Sequence, residues 1–158
     1  MNFEFDDDQR MLRDQARRFL LDKSPPEVVR QTLEGEQPFD RDLWAQFGEM
    51  GWIGAAIPEE YGGSGMGHLE LCVLAEELGR ALAPTPFASS VYLGAEALLT
   101  AGSEEQKQGY LPDLAPGKAT WCLALSAGPP PATEKHITAS VADGKLSGAQ
   151  IPLADGHL

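Results

Sequence analysis

A mainly α fold, a bundle of about six helices followed by an incomplete β-domain, is predicted by three observations. Apolar residues recur at helical spacing in successive short segments as far as residue 118, and each segment is bounded by a cap residue or by Gly and Pro. The connections between those segments are short, as in a compact helical bundle. Beyond residue 118 the pattern changes to strand-like runs broken by turn residues. The expected division is a helical domain over 1–118 and the beginning of a middle β-domain over 119–158.

The first helix is expected to start at Asp6, with Gln9 three residues later completing a capping box. Met11, Leu12, Ala16, Phe19 and Leu20 make its apolar stripe. Arg10, Arg13, Arg17 and Arg18 form a solvated polar face that balances local carboxylates. Ser24-Pro25-Pro26-Glu27 reads as a Ser cap followed by Pro at the first helical position. Val28, Val29 and Leu33 supply that second helix's apolar side, and Gly35 ends it. A third helix runs from about Asp40, with Leu43, Trp44, Phe47 and Met50 at helical spacing and Gly51 as its stop.

Residues 52–58 are apolar but too Gly-punctuated for a long helix. Glu59 to Gly65 is a glycine-permitted loop. It lacks the Lys-Ser/Thr ending of a P-loop and the G-x-G-x-x-G spacing of a dinucleotide fingerprint, so its phosphate-binding signal is weak. The helix expected over 68–82 is the central one. Its L-C-V-L-A run at 71–75 is apolar in every direction, which requires cover on most sides. Pro84 and Pro86 stop it. A fifth helix is expected over 88–101, and Ser103 with Gln106 opens a sixth that runs through Leu111, with Pro112 and Pro116 ending the helical part.

Thr120 to Leu125 reads as a strand buried on both faces. Residues 136–142 alternate, Asp143-Gly144 is a hairpin turn signal, and 145–148 and 150–153 look like further short strands. About 40 residues are too few to close a sheet, which would be left with open edges. The sequence reads as cut off within that domain.

Composition narrows the function. A net charge of −12 is the wrong sign for a phosphate backbone, so nucleic-acid binding is disfavoured. No stretch approaches the roughly 20 apolar residues of a membrane span, and the acidic start M-N-F-E-F-D-D-D-Q is unlike a signal peptide. A cytoplasmic protein is expected. Cys72 and Cys122 lie in apolar runs and read as reduced core thiols, and the three histidines lack metal-ligand spacing.

Four stretches, in order, carry a family resemblance. They are F-D-D-D-Q-R-M-L-R-D-Q-A-R-R-F-L, G-W-I-G-A-A-I-P-E-E-Y-G-G-S-G, E-E-L-G-R-A-L-A-P-T-P-F and G-S-E-E-Q-K-Q-G-Y-L-P-D-L-A-P-G-K. Together they resemble the N-terminal half of an acyl-CoA dehydrogenase. The resemblance implies a flavoprotein that oxidises an acyl-CoA thioester to the 2,3-enoyl-CoA, using FAD as hydride acceptor. It also implies electron-transfer flavoprotein as the electron acceptor and assembly into homo- or hetero-oligomers. The family's catalytic glutamate lies in a C-terminal bundle, and none of Glu59, Glu60, Glu76, Glu77 or Glu96 matches its motif, so no catalytic base is assigned here.

The resemblance also carries candidate site residues. The strand entering the β-domain places Leu123, Leu125 and Ser126 at the flavin, Ser126 keeping the hydroxyl of the family's Thr. A second flavin segment fits 148–156, with Pro152 where Trp is expected and Ala154 where Thr is expected. The first removes a stacking surface and the second a hydroxyl, a buried hydrogen bond being worth about 0.5–1.5 kcal/mol net, so FAD binding is expected to be weakened but not excluded. Ser89, Ser90, Leu93 and Gly94 are the candidate liners of the acyl pocket. Ordinary helix packing explains small residues there equally well, because periodicity does not separate pocket from core. A second reading, motivated by Pro129 to Pro131, Pro152 and Ala154, is a non-catalytic partner subunit of a heteromeric dehydrogenase with a degraded flavin site.

Overall fold

The computed structural model describes residues 4–125, 135, 137–150 and 153–157. Six α-helices lie in chain order: α1 (Asp7–Lys23), α2 (Pro26–Glu34), α3 (Arg41–Glu49), α4 (His68–Ala81), α5 (Glu96–Ala101) and α6 (Glu104–Leu114). A single 3₁₀ turn, Glu59–Tyr61, precedes α4. A π-helix, Ala88–Ala95, runs without interruption into α5. The antiparallel hairpin β1 (Ser140–Ala142) and β2 (Lys145–Ser147) follows, paired Ser140 to Ser147 and Ala142 to Lys145. Its turn residues Asp143 and Gly144 have φ of 52° and 71°, the left-handed pair that a two-residue loop requires.

Local chemistry sets most helix starts. Asp6 accepts from the Gln9 N–H at 2.8 Å while the Gln9 side chain accepts from the Asp6 N–H at 3.1 Å. Asp40 caps α3 through the Leu43 N–H, and Ser103 with Gln106 repeats the reciprocal box at α6. Ser24 differs from expectation. The cap of α2 is Pro25 and its first residue is Pro26, whereas Ser24 closes α1 and its hydroxyl reaches the Ala81 carbonyl of α4. With two prolines supplying preset backbone angles at the helix start, no side-chain cap is needed there.

The core lies where α1 packs along α4 and both meet α3. Ala16 and Leu20 of α1, Leu43 and Phe47 of α3, and Leu71 and Leu74 of α4 are buried together. Phe47 stacks among Trp52, Phe19 and Phe87, with centroid distances of 5.1 to 6.3 Å. A second cluster joins Ile57 and Tyr61 to Leu111 and Leu114 of α6. Pro112 is accommodated inside the last turn of α6, which continues to Leu114 rather than stopping at Leu111.

Several expected core positions lie outside this core. Met11 and Leu33 are exposed, as are Leu82 and Cys72 of the central helix. The central helix therefore buries one broad face, made by Leu71, Val73, Leu74, Glu77 and Leu78, and leaves the opposite face uncovered. Cys72 is an exposed thiol and Cys122 a half-buried one, so neither is a core thiol. Residues 121–125 form no strand: 121–123 are half-buried and 124–125 exposed. A strand buried on both faces needs neighbours on both edges, and no strand among the described residues flanks this one.

Candidate functional site

The region to which the candidate residues converge is built on the π-helix. Pro84 and Pro86 turn the chain out of α4, and Phe87 enters the helix in helical conformation. The wider i to i+5 spacing of a π-helix lets Ser89 and Gly94, and likewise Ser90 and Ala95, face inward as pairs; all four are buried. An α-helix over the same residues cannot align pairs five apart. The expected continuous α-helix over 88–101 is thus replaced at its N-terminal half, where tertiary packing decides the pitch.

Those inward residues anchor the segment that follows the bundle. Ser90 Oγ accepts from the Trp121 N–H at 3.0 Å and donates to the Trp121 carbonyl at 3.2 Å. Gly94 lies directly against the same tryptophan: a Cβ there would come within 2.6 Å of Trp121 Cβ, closer than two carbons approach. Trp121 also packs edge-on against Tyr110 of α6, centroids 5.2 Å apart. Ser89 Oγ lies 3.0 Å from the Pro86 carbonyl and 2.5 Å from Asp155 Oδ2, so it ties residues near the end of the chain to the π-helix.

Beside this seam is a cavity of about 250 Å³, lined by Gly94, Leu98, Gly102, Trp121, Cys122 and Leu123 among others. It brings one candidate substrate residue, Gly94, next to one candidate flavin residue, Leu123. The other candidates fall elsewhere. Ser89 and Ser90 are buried with their hydroxyls engaged as described, Leu93 is exposed, and Leu125 and Ala154 are exposed. Ser126 lies outside the described residues, as do Pro129 to Pro131 and Pro152. On the other side of the π-helix a cavity of about 370 Å³ is lined by Ala75, Gly79, Ala88 and Tyr92. Burial pushes the Tyr92 phenol up to about 12, so it stays protonated.

Among the described residues no carboxylate lines the 250 Å³ cavity. Glu77, Glu104 and Glu96 are each engaged by a neighbouring side chain. Glu77 is 1% exposed and receives both Arg17 Nη2 (2.6 Å) and Arg17 Nε (3.0 Å), with Arg80 Nε at 3.4 Å. The Arg17 hydrogen bonds hold its carboxyl below the ordinary value against the opposing effect of burial. Arg17 is therefore not part of a merely solvated basic face. Glu104 accepts from the Tyr61 hydroxyl at 2.7 Å, which lowers its carboxyl and pushes the Tyr61 phenol up to about 12. Glu96 pairs with His68 at 2.9 Å. Sequence reasoning missed the Arg17–Glu77 pair and the role of Trp121, because both join residues far apart in the chain.

A flavin fits only incompletely. Leu123, Leu125 and Ala154 offer apolar surface and backbone groups but no side-chain donor, and the described residues by themselves form no cradle for FAD. Among the described residues no cluster of His, Cys, Asp or Glu could hold a metal ion, and no helix is long and apolar enough to cross a membrane.

Comparison with known proteins agrees with the bundle. The sequence model described as "Acyl-CoA dehydrogenase, N-terminal domain" matches residues 6–118. A probable acyl-CoA dehydrogenase of Bacillus subtilis is 37% identical over 128 residues, covering 80% of this chain and 33% of that protein. The solved structure of butyryl-CoA dehydrogenase from Megasphaera elsdenii superposes with a TM-score of 0.78 at 27% identity, over 99% of this chain and 43% of that one. An acyl-CoA dehydrogenase from Bacillus anthracis, solved in complex with FAD, gives a TM-score of 0.68 at 32% identity, over 78% of this chain and 21% of that one. The chain spans about a third of the length of the curated relatives it matches. By its helical bundle and by the match over residues 6–118, the chain belongs to the acyl-CoA dehydrogenase family.

Proposed function

We propose that this chain forms the N-terminal helical wall, residues 1–118, and the first part of the middle β-domain, residues 119–158, of an FAD-dependent acyl-CoA dehydrogenase. The reaction is α,β-dehydrogenation of an acyl-CoA thioester to the enoyl-CoA, with a catalytic base supplied by a C-terminal bundle outside this chain and electron-transfer flavoprotein as acceptor. The observation that carries the reading is the seam at the π-helix. Ser90 and Gly94 lock Trp121 in place and so hold Leu123 at an apolar cavity that no carboxylate lines among the described residues. At about 250 Å³ the cavity is smaller than the roughly 300–1,000 Å³ usual for small-molecule pockets, as expected of one wall of a larger site.

In this reading Gly94 and Leu123 supply surface that keeps water from the acyl group, and Ser89 and Ser90 act as positioning residues for the wall. The test is a chimera in which this chain replaces the matching segment of the Bacillus subtilis relative. The chimera should bind FAD and reduce an electron acceptor when given a saturated acyl-CoA, while the 158-residue chain alone shows no turnover. Turnover by the isolated chain, or a folded chimera that is inert toward every acyl-CoA tried, would contradict it.

A further inference from the structure

The two candidate flavin segments are gripped by neighbouring residues of one helix turn. Ser89 and Ser90 are 1% and 0% exposed, and adjacent residues on a helix point in different directions. Each hydroxyl accordingly meets a different stretch of chain. Ser90 Oγ accepts from the Trp121 N–H and donates to the Trp121 carbonyl, 31 residues further on, and Gly94 leaves the space that Trp121 fills. Ser89 Oγ reaches Asp155 Oδ2, 66 residues further on, at 2.5 Å, the short end of hydroxyl hydrogen bonding. The Pro86 carbonyl, 3.0 Å from Ser89 Oγ, already accepts from the Ser90 N–H at 3.0 Å, so the single Ser89 proton is free for Asp155.

Asp155 needs that support. Its φ of 55° lies in the left-handed region, which Asp tolerates better than most residues but still at a cost in strain. Strained turn positions persist where their surroundings fix them. Asp155 is half-buried within a turn at 153–157 whose members Ala154, Gly156 and His157 are exposed. Both contacts fall beside candidate flavin residues, since Ala154 directly precedes Asp155 and Leu123 lies two residues after Trp121. We propose that Asp155 is a positioning residue, which with Ser89 fixes Ala154 as Trp121 with Ser90 fixes Leu123, so that one turn of the π-helix sets the spacing of both flavin segments. Asp155 acts through the backbone beside it and not by contact with reacting atoms. The assignment rests on the flavin-dependent reading above and adds to it the residue that holds the second segment.

The first measurement is backbone 15N relaxation of the 158-residue chain. In the parent the amides of 153–157 should be ordered, with order parameters of about 0.85, and Ser89→Ala or Asp155→Ala should drop them below about 0.6 while α4 stays rigid. Ser90→Ala should loosen 121–123 instead. Asp155→Asn, whose amide oxygen still accepts, should keep most of the order. The second measurement is FAD binding by the chimera with the Bacillus subtilis relative. Asp155→Ala should weaken it about tenfold and Asp155→Asn should restore most of it. Ser89→Ala combined with Asp155→Ala should lose no more than either alone, as expected of one coupled pair. The assignment is overturned if 153–157 keep their order in Asp155→Ala, if the chimera binds FAD equally well in Asp155→Ala, or if the two losses add in full. A folded chimera that takes up no FAD before any substitution contradicts the flavin-dependent reading, and the assignment falls with it.

Discussion

Glu77 shows how a single buried charge is kept in this bundle. Its folded-state carboxyl lies below the ordinary 4.5 because Arg17 donates to both oxygens. The stability this supplies is present above the unfolded-state value and is lost as pH falls through the folded-state value. Acid titration of the melting temperature should therefore show a component below about pH 4.5 that Glu77→Gln removes. Glu77→Ala should cost about 1–3 kcal/mol at neutral pH, less than a fully buried pair because both arginines reach solvent. At the seam, Gly94→Ala forces Trp121 aside and should cost about 1–3 kcal/mol by overpacking. Ser90→Ala strands the Trp121 N–H at a similar cost of about 1–3 kcal/mol. Both are read by chemical denaturation with a red shift in tryptophan emission. None of these pairs was legible in the sequence, since Arg17 and Glu77 are 60 residues apart and Ser90 and Trp121 are 31 apart. The caps at Asp6 and Ser103 are legible, because both partners of each lie within one turn, and the start of α3 at Asp40 is legible as well.

At the scale of elements, every expected helix exists, and the departures have specific causes. The Ser24 cap failed because two prolines preset the start of α2 and freed Ser24 to bridge to α4. The fifth helix widened to π pitch because its inward pairs must meet Trp121 and the end of the chain, a demand that periodicity within 88–101 does not express. Hydrogen exchange should find the amides of Ala88–Ala95 less protected than those in the middle of α4, since π geometry makes poorer hydrogen bonds. The C-terminus of α4 keeps leucine where glycine fits the backbone. Leu82→Gly should raise stability by about 0.5–1 kcal/mol, measured by thermal melting.

On the scale of the whole molecule, the helical bundle has its own core, while the segment after residue 118 depends on it. The described part of that segment comprises an exposed two-stranded hairpin, a stretch at 121–125 pinned by Ser90 and Gly94, and a turn at 153–157 held through Asp155 by Ser89. Its turn was legible from Asp143-Gly144, but the strand expected over 120–125 was not realised, because strand identity depends on neighbours that local sequence does not contain. Among the described residues the wall at Gly94 and Leu123 is apolar, carries no carboxylate and offers no side-chain donor at Leu123, Leu125 or Ala154. These features support the proposal that this chain supplies one wall of a flavin and acyl site. The most direct measurement is visible absorbance of the purified 158-residue chain after mixing with excess FAD and gel filtration. The account predicts a folded, colourless protein peak; stoichiometric flavin co-eluting with the chain would contradict it.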